Sequence, residues 1–234
     1  MATSEEDLEI AVRTIFKNAW DSREGRIVPE PEDLGLANDA VMFDRATVLY
    51  ADLSGSTKLV DSEDWMFSAE IYKAYLHCAA TIIRNEGGTI TSYDGDRVMG
   101  IFIGDCQTTK ATRAGLKINY AVQKIVNPAL SRQYSSSCYV VKQVVGIDCS
   151  EIHAARTGVR GENDIVWVGR AANYAAKLTD INRRERTWIT GEAFNRLHTS
   201  AKFGGSENKM MWKEYKWTTM NDRSIYGSEW IWKI

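Results

Sequence analysis

The chain has 234 residues, enough for one large domain with a real core or one domain plus short extensions. Its 44% hydrophobic and 26% charged residues are ordinary for a soluble globular protein, and a net charge of -2 gives no overall basic character of the kind that binds duplex nucleic acid. No apolar run reaches the ~18 residues of a membrane helix, and the acidic start MATSEEDLEI lacks a secretion-signal pattern, so a cytoplasmic protein with neither nucleic acid nor membrane as partner is expected.

Residues 4–24 place Leu8, Ile10, Ala11, Ile15, Phe16 and Ala19 at helical spacing. A helix covering the domain is expected there, with dimerisation as its other use. Residues 25–40 hold Gly25, Pro29, Pro31, Gly35 and many acids, the composition of a linker. The chain therefore divides into an N-terminal helix and linker, 1–40, and a main domain, 41–234. Residues 46–53 (ATVLYADL) form an apolar strand that ends at an aspartate. Ser54, Gly55, Ser56 and Thr57 make a turn with helix-capping residues, and a long helix follows to about Asn85. Gly87-Gly88 breaks it, and strands at 89–93 and 97–103 flank the tight turn Asp94-Gly95-Asp96. A helix at 107–126 ends at Asn127-Pro128. Next come a β-branched strand at 138–147, a polar loop at 150–163 with Gly158 and Gly161, and a strand at 165–168. A helix at 170–180 is opened by Gly169, followed by a short strand near Trp188, a helix at 191–198 and a hairpin from 210–217 and 225–232. The leading elements match an α+β domain, a β-α-β-β-α-β sheet with helices on one face. Cys78, Cys106, Cys138 and Cys149 have no Cys-x-x-Cys spacing, and His77, His153 and His198 no ligand spacing; structural roles are expected for all seven.

The chemistry starts from two carboxylates. Asp52 ends an apolar strand and Asp96 sits in the hairpin turn, and in this element order the first and third strands can be neighbours. Two adjacent carboxylates repel, and one stays protonated unless a cation joins them. Magnesium prefers such oxygen ligands and completes its shell with phosphates and water. The turn of Ser54, Gly55, Ser56 and Thr57 opens a helix whose free N–H groups can hold phosphate. Alone, each aspartate reads as a turn or cap residue; together with the turn they point to a metal site.

The segments YADLSGST, GGTITSYDGDRVMGIF, VVGID and VGRAANYAAKL resemble the class III nucleotidyl cyclases, over about residues 43–180. That family shows an F-x-D-I-x-G-F-T-like turn, a G-G-x6-G-D hairpin and a G-x-x-V-N-x-A-x-R helix. The spacing agrees: Gly87-Gly88 and Gly95-Asp96 are six residues apart, and Asn173 and Lys177 follow Gly169 by four and eight. The resemblance implies a ferredoxin-like βαββαβ catalytic domain with a C-terminal β extension, working as a head-to-tail homodimer. It implies that Asp52, Asp96 and the Leu53 carbonyl hold two Mg²⁺ or Mn²⁺ ions per site, and that Asn173 orients the ribose. Lys177 stands where the family usually has a transition-state arginine, keeping the charge without the bidentate fork. A phosphate-binding lysine is implied in the tail, with Lys209, Lys213 and Lys216 as candidates. The implied reaction is attack of a ribose 3′-hydroxyl on the α-phosphate of a nucleoside triphosphate, releasing pyrophosphate and a 3′,5′-cyclic monophosphate. The purine-reading positions of the family fall on Ser92 and Val166, which cannot make the purine contacts. Tyr50 adds bulk and a hydroxyl where phenylalanine is common, suiting a smaller base, and Arg97 is placed to reach base or phosphates. In this the chain resembles the bacterial pyrimidine cyclases of the Pycsar anti-phage system, which implies UTP, or alternatively CTP, as substrate and a separate effector protein for the cyclic product. The competing readings are a purine cyclase, a non-catalytic nucleotide sensor on the same scaffold, and a diguanylate cyclase, whose Gly-Gly-acid hairpin is absent.

Overall fold

In the computed structural model, which describes residues 4–159 and 162–234, the chain opens with helix α1 (Glu5–Lys17) and strand β1 (Asp21–Glu24). Strand β2 (Asp39–Leu53) leads into helices α2 (Ser56–Ser62) and α3 (Trp65–Asn85). The hairpin β3 (Thr89–Asp94) and β4 (Arg97–Phe102) is followed by α4 (Gln107–Ala121) and α5 (Asn127–Gln133). A long hairpin, β5 (Gln143–Val159) and β6 (Glu162–Val168), leads to α6 (Arg170–Leu178). Strand β7 (Thr187–Thr190) and helix α7 (Gly191–Asn195) precede a small ribbon, β8 (Phe203–Gly204) and β9 (Lys209–Met210), and a closing hairpin, β10 (Lys213–Trp217) and β11 (Arg223–Ser228). Among the described residues nine strands share one sheet along the path β10-β11-β7-β5-β2-β4-β3, with β1 beside β2 and β6 beside β5.

Alternation along β2 decides what lies on each face. Leu49, Ala51 and Leu53 point to the α3–α4 layer and share a core with Tyr75, Ile83, Phe102, Leu116 and Ile147. Ala46 and Val48 point the other way and pack with Met99, Ile101 and Ile152 under Ala171, Ala172 and Ala175 of α6. The helices of the expected β-α-β-β-α-β unit thus share one face, while α6 takes the opposite one. Gly146 makes that close approach possible: a Cβ there would lie 2.0 Å from the Ala175 carbonyl oxygen and 2.8 Å from Leu178 Cβ.

Several expected elements differ. The single helix after Thr57 is two, because Glu63 is extended and Asp64 starts α3 afresh by accepting the Met66 N–H at 2.8 Å. The helix expected to stop at Asn127-Pro128 instead widens into a π turn at Val122–Val126 and continues as α5, with Pro128 in the first turn where a missing N–H costs nothing. Asn127 is a bracket instead: it accepts from the Val141 N–H at 2.8 Å and donates to the Val141 carbonyl at 3.0 Å. The strand expected at 138–147 starts at Gln143, and the expected polar loop at 150–163 is the arm of β5 and β6, in register from His153↔Val168 to Gly158↔Asn163. Gly161 lies outside the described residues. In the tail, β11 stops at Ser228, and Trp230 and Trp232 pack onto the core instead of extending the hairpin.

Within the stretch 25–40, Leu34 is buried, and residues 39 and 40 already belong to β2. Just before it, β1 pairs parallel with β2 from Asp21↔Asp39 to Glu24↔Met42. Helix α1 does not cover the domain: it buries none of its residues.

Candidate active site

Three side chains meet on the α6 face at the end of β2. Residues 50 and 52 share that face by alternation, and the antiparallel register sets Asp52 directly across from Arg97 of β4. Arg97 Nε lies 3.3 Å from Asp52 Oδ1, an ion pair rather than a directed hydrogen bond, since the N–H is left without a well-aligned acceptor. The same guanidinium lies 5.8 Å from the centroid of the Tyr50 ring. Asp96 is next in the chain, in a turn whose Gly95 takes φ +59°. The structure therefore brings Tyr50, Asp52, Asp96 and Arg97 together at one strand end. Ser92 sits on the neighbouring strand β3, half-buried, opposite Met99.

Burial is the main influence on Asp52 and pushes its carboxyl up to about 6. Arg97 pulls it down, while Asp96 and Asp180 push it further up. The Tyr50 hydroxyl is also raised, first by burial and then by Asp94, with Arg97 opposing. Beneath them Tyr75 is fully buried, its hydroxyl has no hydrogen-bond partner, and burial followed by the charges of Asp52 and Asp96 holds it protonated. The strand end thus carries more negative charge than Arg97 balances. Hard, oxygen-only donors with unbalanced charge fit a divalent cation such as Mg²⁺ or Mn²⁺. The described residues hold no cluster of three or more His, Cys, Asp or Glu side chains, so two carboxylates and a backbone carbonyl at Leu53 would leave most of an ion's shell to phosphate and water.

The turn after Asp52 opens onto a groove of about 960 Å³. It is lined by Asp52, Leu53, Ser54, Gly55, Ser56 and Thr57 together with Lys142, Asn182 and Arg186. Gly55 takes φ +78°, a left-handed conformation suited to glycine, and no atom lies within 4 Å of where its Cβ would be. The backbone there is open to an anionic ligand, and the Ser54 N–H is already used by the Lys142 carbonyl at 2.9 Å.

The other expected residues lie elsewhere. Asn173 and Lys177 are four apart on α6, and both are exposed. Lys177 lines a second cavity of about 500 Å³ with Arg183, Lys216 and Trp217. The two cavities meet at Asp180 and Ile181. Of the three tail lysines, Lys216 shares this cavity; Lys209 pairs with Glu207 at 2.6 Å, and Lys213 lies 5.0 Å from the Tyr215 ring centroid. Val166 is exposed on β6, opposite Ala155, whereas Asp52 is opposite Val144. Eleven residues of β5 separate those two positions, about 36 Å of strand. A single chain therefore does not unite Val166 with the carboxylates.

Sequence reasoning passed over the group that fixes α6. Asp148 is fully buried and receives Arg170 Nε at 3.0 Å and Nη2 at 3.3 Å, while Nη2 also reaches the Cys149 carbonyl at 2.6 Å and Nη1 reaches Glu192 at 3.1 Å. The signal was a carboxylate inside the apolar run VVGID, which requires a buried partner. Lys142 and Arg186 left no local signal, because they stand just before β5 and β7, which meet only in the folded sheet.

Solved structures share this architecture. The guanylyl cyclase Cya2 aligns with a TM-score of 0.65 at 16% identity, covering 80% of this chain and 93% of that one. The adenylyl cyclase CyaB from P. aeruginosa aligns with a TM-score of 0.62 at 21% identity, covering 81% and 95%. The fold is that of the class III nucleotidyl cyclase catalytic domain. No protein-family model matches the chain. Curated uridylate cyclases from Xanthomonas perforans and Burkholderia cepacia are each 46% identical over 230 residues, 98% of both chains. A uridylate cyclase from Rhodovulum sp. (strain MB263) is 32% identical over 95% of each. The chain belongs to the uridylate cyclase family.

Proposed function

We propose that the protein converts UTP to 3′,5′-cyclic UMP and pyrophosphate at a site shared between two copies arranged head to tail. The observation that carries the substrate assignment is the Arg97 bridge, which ties the carboxylate Asp52 to the face of Tyr50. It sets an aromatic ring and a cation beside the metal-ligand position, and Ser92 and Val166 lack the groups that make the family's purine contacts. The full-length similarity to uridylate cyclases supports the same base.

In this reading Asp52, Asp96 and the Leu53 carbonyl hold two divalent ions. When bound, the ions supply the positive charge that favours an alkoxide at the ribose 3′ position and neutralises the triphosphate. The residues of the chain do the rest. Gly55, Ser56 and Thr57 face the phosphates with open backbone and hydroxyls, and Ser54 holds their turn to the Lys142 carbonyl. Tyr50 and Arg97 stack on and hydrogen-bond the uracil, with Ser92 at the pocket edge. The second copy contributes Asn173 to orient the ribose and Lys177, with Lys216 beside it, to neutralise charge on the reacting phosphate; its Val166 closes the base pocket. Catalysis is then positioning and charge neutralisation. Similarity to the Pycsar cyclases extends the proposal to a cytoplasmic alarm signal in anti-phage defence, read by a separate effector. Among the described residues no helix is long and apolar enough to cross a membrane.

The test offers ATP, GTP, CTP and UTP separately with Mg²⁺ or Mn²⁺ and identifies products by mass spectrometry. Cyclic UMP from UTP is expected, with the other three at least about tenfold slower, the cost of leaving a buried polar base edge unpaired. Preferential turnover of a purine or of CTP, or tight binding without turnover, contradicts the reading.

A further inference from the structure

Two cations line the groove with no acid to meet them, and the register of the sheet says where they stand. Val144 lies opposite Asp52, so the two side chains share the α6 face. Alternation puts Lys142 on that face as well. Its neighbours turn the other way, Val141 into the α3–α4 core and Gln143 to Asn119 of α4 at 3.4 Å. On β7, Trp188 packs with Val144 and Leu178, whereas Thr187 lies against Gly115 of α4. Arg186 therefore returns to the α6 face beside Val144, where its carbonyl accepts the Val145 N–H at 2.8 Å. The row Asp52, Val144, Arg186 crosses three strands, and its ends are two strand spacings apart, roughly 10 Å. Lys142 stands one step further along the chain of β5, toward the turn.

Backbone contacts fix both positions. The Lys142 carbonyl accepts the Ser54 N–H at 2.9 Å, tying it to the turn after Asp52. The Arg186 N–H donates to the Ser228 carbonyl at 3.0 Å. Neither side chain has an ion-pair partner among the described residues. Arg186 is half-buried all the same, and a half-buried guanidinium without an acid suits a phosphate that arrives from outside. Val144 between them is buried and apolar, so no protein charge bridges the two ends of the row. The acid end suits cations, the cation end suits an anion, and a chain of phosphates spans both. We propose that Lys142 and Arg186 grip the β- and γ-phosphates of the substrate, and the pyrophosphate they become, from the same chain that supplies Asp52. The tail lysine Lys216 lines the other cavity, so this grip does not depend on it. The inference rests on the triphosphate reading of the groove and not on which base the site takes.

Calorimetric titration of the full chain with inorganic tripolyphosphate in the presence of Mg²⁺ tests this without any base. Lys142→Gln and Arg186→Gln should each weaken tripolyphosphate binding about tenfold or more, the effect of losing a charged hydrogen bond. Arg186→Lys, which keeps the charge and loses the fork, should fall between wild type and Arg186→Gln. Binding of UMP, which lacks the outer phosphates, should be unchanged in all three. In steady-state assays the KM for UTP and the inhibition constant of pyrophosphate should rise together, with kcat falling less than kcat/KM. Unaltered tripolyphosphate affinity in both glutamine variants overturns the proposal, as does a wild-type chain that does not bind tripolyphosphate. So does an equal loss of UMP binding, the mark of a structural role. Weakened tripolyphosphate binding in a chain that turns over ATP rather than UTP would uphold the grip and remove only the base assignment.

Discussion

At the scale of single residues, Asp52, the proposed metal ligand, is held at a cost. Its carboxyl stays protonated to about 6 in the folded chain against 3.8 for an ordinary aspartate. The folded state therefore binds the proton more tightly than the unfolded one. That contribution is fully present below pH 3.8 and is lost as pH rises through about 6. Above pH 6 the ion-free protein carries an incompletely balanced charge, and Asp52→Asn should raise its stability by about 1–2 kcal/mol, a thermal midpoint about 2–8 °C higher. Near pH 4 the two proteins should melt alike. Mg²⁺ should raise the wild-type midpoint above pH 6, fade below it, and leave the variant unmoved. A destabilised Asp52→Asn at pH 7.5 contradicts this. Asp52 and Asp96 were legible in the sequence because a strand end and a tight hairpin are local features with fixed spacing. Arg97 was legible as a candidate for base or phosphates, but its partner was not, since a residue after a turn serves equally as a surface cation. Only the register Asp52↔Arg97 shows what it meets.

At the scale of elements, α6 is the piece whose placement matters most, for it presents Asn173 and Lys177. It lies on β5 at glycine distance over Gly146 and is clamped at its start by Arg170 on the buried Asp148. Gly146→Ala should force α6 away from the sheet, costing about 1–3 kcal/mol as overpacking does. The melt would show that cost, and kcat should fall further than stability alone explains, with the chain still folded at assay temperature. A wild-type kcat would show that the position of α6 is not critical. The helix was legible from Gly169 and its alanine face; its side of the sheet was not, because neither residue says which face of β5 it meets. The arm of β5 and β6 was misread as a loop for a related reason. Its polar residues alternate with Ile152 and Ala154, and alanine is a weak strand signal beside glutamate, histidine and arginine.

At the scale of the whole molecule, the proposed function gives one chain two half-sites. The carboxylate end, with Tyr50 and Arg97, opens one cavity; Lys177 and Lys216 open another, and Val166 stands at the far end of the sheet. The β-α-β-β-α-β order and its family resemblance were readable from element sequence alone, and the fold agrees. The amphipathic pattern of α1 was readable too, but periodicity reports that a face is apolar and not what covers it. The division of labour between two copies is the central claim, and subunit mixing tests it most directly. Asp52→Ala and Asn173→Ala chains should each be inactive alone. Equal mixing with exchange should restore about a quarter of the wild-type rate, since half of the dimers are mixed and each has one of its two sites intact. A mixture that exchanges subunits yet stays inactive, or a strictly monomeric chain at full activity, would contradict it.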